Sequence, residues 1–364
     1  MKTRFIKAGI FACIIILAFI LIQCGSHRSS FKGEALLEIK TNSFSTTRIN
    51  QLTKYLKDSS ATTAMMILKD GKIGYSYGDV AEVSYLASCR KSVLAMLYGK
   101  HVENGTIDLN ETIDSIGIDE NDGLLPIEKQ ATVDHIITAR SGVFHVPANG
   151  GYDEANVKPR GSKKPGDYYL YNNWDFNVAG HILETKTGQS VYQELEQQLA
   201  IPLGFEDWNI KNQKRKVNTK KSRYSAYHMY LSTRDMAKIG QLMLNRGQWK
   251  GKQLISRDWI KRTISTITPR DTVNKRNGLD RSAPVQFSYG YMWWLFENFK
   301  NNPDMEGAYS ASGYGGQYIT IIPKRNMVIV HKTKLNVLHY MGWANDVPSW
   351  QYWNIVEKAL EAED

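Results

Sequence analysis

Ser88-Cys89-Arg90-Lys91 stands directly ahead of a run in which Val93, Leu94, Leu97 and Val102 keep helical spacing, and the run stops at Asn104-Gly105. The spacing predicts a helix that opens at the tetrapeptide. Positions i and i+3 share one helix face, so Ser88 and Lys91 are neighbours there. A serine hydroxyl is a poor nucleophile until a neighbour removes its proton, and a partly desolvated lysine can do that. The helix amino terminus adds N–H groups and the positive end of the helix dipole where an oxyanion would form. By itself the tetrapeptide says little. Ser29-Ser30-Phe31-Lys32 has the same spacing in a polar stretch, and a helix N-cap followed by a solvated lysine reads identically.

Two further stretches change its weight. Pro165-Gly166-Asp167-Tyr168-Tyr169-Leu170-Tyr171-Asn172-Asn173-Trp174 precedes an apolar helix through Val178, Ile182 and Leu183, ended by Gly188. Ala311-Ser312-Gly313-Tyr314-Gly315-Gly316-Gln317 is a glycine-rich turn leading into a strand. In this order, S-x-x-K, Y-x-N and a glycine-rich turn before a strand resemble the serine β-lactamase and penicillin-binding-protein superfamily. The likeness is nearest to its class C-like branch of esterases, D-amino-acid peptidases and amide hydrolases. Asp134-His135-Ile136-Ile137-Thr138-Ala139-Arg140-Ser141-Gly142 is similar to that family's "LLTHTSG" segment, and Ile201-Pro202-Leu203-Gly204-Phe205 to its "PLGM" segment. Ser232 to Gly240 resembles its "S-x-x-D-L-A-x-F-G" helix.

The resemblance implies an α+β fold of the β-lactamase/transpeptidase type: an antiparallel sheet flanked by terminal helices, with an inserted, mostly helical lobe. It implies that Ser88 is the acylated nucleophile, Lys91 its proton-handling partner and Tyr171 a general base. Asn173 would orient the lysine and the substrate, and the backbone N–H groups of Ser88 and Gln317 would form the oxyanion hole. Tyr314, with the third-motif glycines Gly315 and Gly316, stands where lactamases carry Lys or His followed by Thr-Gly or a similar pair. A tyrosine offers a neutral hydrogen bond and a stacking face in place of a cation. That departure favours ester or amide hydrolysis over β-lactam hydrolysis. A second Y-x-N at Tyr352-Trp353-Asn354 falls out of order on the closing helix, and Lys332-Thr333 lacks the following glycine.

The flanking pattern agrees with this architecture. Ile49, Leu52 and Leu56 give a first helix over about 48–57, and 62–78 reads as a hairpin turning at Lys69-Asp70-Gly71-Lys72. Residues 289–296, 317–323 and 327–333 are strand-like, and 350–362 is a closing helix with Trp353, Val356 and Leu360 on one face. The expected division is a serine hydrolase domain over 45–364, with an α/β lobe at about 45–100 and 285–364 and a helical lobe at about 101–284.

Lys2, Arg4 and Lys7 precede fifteen apolar residues, Ala8 to Ile22. A basic start and an apolar run of this length form a secretory leader, since spanning a bilayer takes about 20 residues. The run ends at Leu21-Ile22-Gln23-Cys24-Gly25-Ser26, which resembles a bacterial lipobox. The resemblance implies a signal peptide over 1–23, lipidation of Cys24, a spacer over 24–44 and an anchored place in the bacterial cell envelope. An uncleaved amino-terminal anchor is the alternative reading.

The chain has 364 residues with 46 Lys+Arg against 36 Asp+Glu, a net charge of +10. Three of the excess charges belong to the leader, and Lys211 to Arg223 carries seven basic residues and no acidic one. Positive charge is therefore local, and without a nucleic-acid motif or interleaved aromatics a DNA or RNA partner is not expected. The bland reading of the 211–223 stretch is a solvated loop; the sharper one is attraction to anionic envelope polymers or lipid head groups. Twenty tyrosines, nine tryptophans and eleven phenylalanines exclude a disordered chain, and three cysteines exclude a disulfide scaffold. No H-E-x-x-H, G-x-S-x-G, P-loop or dinucleotide fingerprint is present, so neither metal nor cofactor is expected; His135, His145 and His228 read as structural or pocket-lining. The partner expected is a small ester, amide or peptide. Two alternatives stand beside it: a β-lactamase or D-alanyl-D-alanine carboxypeptidase proper, and a catalytically weak penicillin-recognising binding or sensor lipoprotein.

Overall fold

Helix α1 (Thr46–Ser59) buries Leu52 and Leu56, one turn apart, as its apolar spacing requires. The computed structural model describes residue 36 and residues 43–151, 153–280 and 282–363. The leader, Cys24 and most of the spacer lie outside these residues. Strands β1 (Ala64–Lys69) and β2 (Lys72–Gly78) form the expected hairpin, with Asp70 and Gly71 both at positive φ in the turn. Helix α2 (Cys89–Glu103) opens at the tetrapeptide and ends at Asn104, and helix α3 (Asn173–Thr187) stops at left-handed Gly188. Helix α4 (Thr233–Leu244) starts at Ser232, whose hydroxyl accepts from the Asp235 N–H.

Five strands close the chain: β3 (Val285–Tyr289), β4 (Trp294–Phe299), β5 (Tyr309–Gly313), β6 (Gln317–Ile322) and β7 (Met327–Lys332), followed by helix α5 (Ser349–Ala362). Among the described residues, seven strands make one antiparallel sheet in the order β2-β1-β7-β6-β5-β4-β3. This is the α+β fold the resemblance implied. The expected single strand over 289–296 is instead a hairpin. Tyr289 and Trp294 face each other across it, and Met292 adopts a left-handed conformation. The Tyr291 N–H leaves the sheet and donates to Thr263 O at 3.0 Å.

Every residue of β6 and β7 is buried, because helices cover both faces of the sheet. Tyr318 and Thr320 of β6 face α5: the Tyr318 ring stacks on Tyr352 at 3.7 Å, and the Thr320 hydroxyl lies 2.7 Å from the Tyr352 hydroxyl. Ile319 and Val328 face the other side and meet α4 at Gly240. Helix α4 comes from within 101–284, yet it packs on the sheet against β1, β6 and β7. The two ends of the domain are tied where the Ser45 N–H donates to Ala362 O at 2.9 Å.

A Cβ at Gly240 would sit 2.4 Å from Val328 Cγ1 and 3.0 Å from Ile319 Cγ2. Alanine gains about 1 kcal/mol over glycine in an open helix. Overpacking costs about 1–3 kcal/mol and wins here, because both neighbours belong to fully buried strands. Gly240→Ala is expected to lower the urea midpoint, and a raised midpoint would show that α4 can move off the sheet.

Candidate active site

The turn before α2 is held in an unusual shape. Ala87 has φ +47°, a left-handed conformation costing a residue with a Cβ about 1–3 kcal/mol. Leu86 N–H donates to Met229 O at 2.9 Å, and Cys89 Sγ to Gln317 O at 3.1 Å, fixing the turn from two sides. Ser88 follows with φ −75° and ψ −12°, and its side chain makes no cap hydrogen bond. The hydroxyl is therefore not used as a helix cap. It faces Lys91 instead.

Lys91 is 1% exposed. Its Nζ lies 3.0 Å from Ser88 Oγ and 2.8 Å from Tyr171 Oη, so one amine joins the first two motifs. The amine also lies over two rings, 4.1 Å from the Tyr171 centroid and 4.5 Å from that of Phe176. Among the described residues no carboxylate pairs with it. Desolvation, with the adjacent Arg90 cation, holds Lys91 well below the usual lysine range. Burial pushes the Tyr171 phenol the other way, to about 12, against the pull of its hydrogen bond with Ser88. Both shifts favour the neutral form of the group concerned.

Arg90 belongs to this electrostatic setting, although only its adjacency to Lys91 in the sequence signals it. It is buried, its guanidinium lies 4.3 Å from the Tyr227 ring centroid, and Nη2 donates to Asn177 Oδ1 at 3.3 Å.

The third motif reaches Ser88 from the end of β5. A Cβ on Gly313 would lie 2.7 Å from Leu86 O and 3.1 Å from Ser88 N, so only glycine lets this strand approach so closely. Ser88, Tyr171, Gly313, Tyr314 and Gly315 line a cavity of about 440 Å³, with Trp294 and the 346–349 loop completing the wall. Gly315 and Gly316 are both left-handed. His331 holds this turn: its Nδ1–H donates to Gly316 O at 2.7 Å, while Nε2 lies 2.7 Å from Thr62 Oγ1. The Tyr314 ring points outward, 55% exposed, and stacks on Tyr340 with centroids 6.1 Å apart.

Neither Gln317 nor Asn173 is among the described residues that line the cavity. Gln317 does not line the cavity; it is fully buried, registered against Gly313 in the β5–β6 ladder, with Nε2 donating to Thr333 O at 2.6 Å. Gly313, Tyr314 and Gly315 are the residues of this turn that line the cavity beside Ser88. Asn173 makes no hydrogen bond to Lys91 either. Its Nδ2 donates to Gly150 O, and its buried Oδ1 has no partner among the described residues. Trp294, against the Tyr171 ring at 5.4 Å, was hidden in an apolar run without a motif. The histidines serve structure: His135 caps a short helix with Thr132, His145 lies 3.1 Å from Asp122 and His228 lies against Tyr85.

A Ser–Lys–Tyr cluster set between a buried helix and an antiparallel sheet defines the serine β-lactamase/transpeptidase-like class of hydrolase folds. The chain belongs to the beta-lactamase family, whose profile matches residues 49–338. An uncharacterized protein of Alkalihalophilus pseudofirmus is 24% identical over 266 residues, covering 68% of this chain and 72% of its own. Among solved structures, a candidate 6-aminohexanoate-dimer hydrolase from Bacillus anthracis has TM-score 0.63 at 21% identity, covering 92% of this chain and 90% of its own. A family VIII carboxylesterase has TM-score 0.61 at 14% identity, with 90% of this chain and 100% of its own covered. A penicillin-binding-protein homologue from Caulobacter crescentus has TM-score 0.60 at 13% identity, with the same coverages.

Lys332, discounted in the sequence, lies away from the cavity. Its Nζ donates to Ser84 O at 2.9 Å and Leu231 O at 2.5 Å, tying β7 to the short strand that leads into the Ser88 turn and to the strand paired with it. Desolvation lowers its pKa to about 7, against opposing pulls from Cys89, Glu82 and Asp235. An unfolded lysine titrates near 10.4, so the unfolded state binds more protons between about pH 7 and 10. The cost of burying this amine is full below about pH 7 and fades as the pH rises through that window. Lys332→Met should show a shallower rise of unfolding free energy from pH 7 to 10 in urea titrations; an unchanged slope would contradict the buried-amine account.

Proposed function

We propose that the protein is an envelope-tethered serine hydrolase that cleaves a neutral ester or amide through an acyl-enzyme on Ser88. The observation that carries this reading is the buried Lys91 amine set between Ser88 Oγ and Tyr171 Oη. A neutral amine has a lone pair for the Ser88 proton and N–H bonds for the phenol oxygen. Lys91 takes the proton as Ser88 attacks the carbonyl carbon. The Lys91–Tyr171 pair returns it to the leaving group and then activates water to release the acyl group. The N–H of Ser88 and, in place of that of Gln317, the N–H of Tyr314 stabilise the oxyanion at the amino terminus of α2. Asn173 serves as a tie to the Gly150 loop.

The cavity favours an uncharged substrate. Among the described residues lining it, Asp346 is the one charged side chain. A penicillin carboxylate or a D-alanyl carboxylate would meet that anion and no cation, which weighs against the β-lactamase and carboxypeptidase readings. The tether rests on the basic start, the apolar run and Cys24, and it places the enzyme at the surface of a bacterial membrane.

Hydrolysis of a neutral short ester should exceed hydrolysis of a penicillin, measured as kcat/KM. The reverse order would support the lactamase reading; no turnover by folded protein would support a binding or sensor role. The kcat/KM should rise as Lys91 loses its proton, with a midpoint well below 10.5, so activity falls on acidification. Lys91→Met is expected to lower kcat/KM by about 100- to 10 000-fold, the range of general acid–base contributions, and to remove that limb. A limb unchanged in the variant would assign it to another group.

A further inference from the structure

A second cavity of about 670 Å³ shares Trp294, Ser312, Pro348 and Ser349 with the cavity that holds Ser88. It runs beneath the start of α5 and over β3 and β4. Its size falls within the range of small-molecule sites, about 300–1,000 Å³. Leu279, Val285, Phe287, Trp294, Trp350 and Trp353 give it an apolar, largely aromatic wall.

Ser310 and Lys300 on this wall are already engaged. Ser310 Oγ lies 2.9 Å from Thr320 Oγ1. Lys300 Nζ donates to Asn354 Oδ1 at 3.0 Å and to Glu357 Oε2 at 2.7 Å, so the cation is matched by an anion and is poorly placed to hold a second one. A polar or charged ligand would find little to bond with, whereas an apolar one loses nothing by leaving water. The shared residues put this wall beside Ser88 and not on a separate face of the molecule.

Resting on the serine-hydrolase reading above, we infer that the two cavities form one site and that the substrate is an ester carrying a large apolar group, of the size of an octyl chain or an aryl ring. That group lies along Phe287, Trp294 and Trp353 while its ester carbonyl sits at Ser88. The wall then selects substrates by apolar surface: each methylene buried is worth about fourfold in binding.

Three esters test this and separate the two ends of the substrate: ethyl acetate, ethyl octanoate and octyl acetate, each titrated for acid release by the full-length protein. One of the two octyl-sized esters should show kcat/KM at least about 30-fold above ethyl acetate, less than the full value of its extra methylenes. Which one does so says whether the acyl or the alcohol group fills the cavity. Ala283→Trp and, independently, Leu279→Trp should each reduce the ratio of long to short ester by about tenfold, consistent with losing part of that burial. Leu279 is 36% exposed, so its replacement is compatible with folding. Equal kcat/KM for the three esters, with all hydrolysis lost in Ser88→Ala, would overturn the inference and leave the hydrolase reading standing. Hydrolysis of no ester would overturn the inference and leave only the amide form of the hydrolase reading, and hydrolysis that survives Ser88→Ala would overturn both.

Discussion

The site depends on one buried amine. Lys91 has been taken out of water without a carboxylate partner among the described residues, an arrangement that penalises the ammonium form. Two rings and two hydroxyl oxygens replace the lost water, and the Arg90 cation next to it deepens the preference for the neutral amine. A solvated lysine at the same spacing would stay protonated near neutral pH and have no lone pair to offer. The burial of α2, continuous from Cys89 to Gly99, is what keeps this amine out of water.

Three remote segments meet at that amine, and the fold's ties explain how they stay in register. Cys89 Sγ and Ser92 Oγ fasten the first turn of α2 to Gln317 O and Met292 O. The Gly313 approach brings β5 against the Ser88 turn, and His331 holds the glycine pair that follows. Tyr171 comes from the segment before α3, whose start is capped by Asn172, and it is wedged against Phe176 and Trp294. Strands β6 and β7, covered on both faces, form the rigid support beneath.

Features governed by local chemistry were legible in the sequence. The start of α2 at Ser88, its end at Asn104, the stop of α3 at Gly188 and the 69–72 turn all follow from residues within a few positions. The order of the three motifs carried the fold. What escaped was set by distant partners. The 289–296 run reads as one strand because nothing local shows that the Tyr291 N–H is claimed by Thr263 O. Asn173 is expected to reach Lys91, yet its amide donates to Gly150 O. Gln317 opens β6 with its side chain buried, and glycine content alone does not show that Gly313 to Gly315 are the residues of the turn that line the cavity. Trp294 and Arg90 carried no motif; their roles arise from the rings and charges the fold places beside them.

The central claim is that Ser88 is an activated nucleophile, and the most direct test is the intact mass of the folded protein after treatment with a fluorophosphonate. The account predicts a single phosphonyl adduct, mapped by peptide analysis to Ser88 and absent from Ser88→Ala. A folded protein that gains no mass, or an adduct that persists in Ser88→Ala, would contradict it.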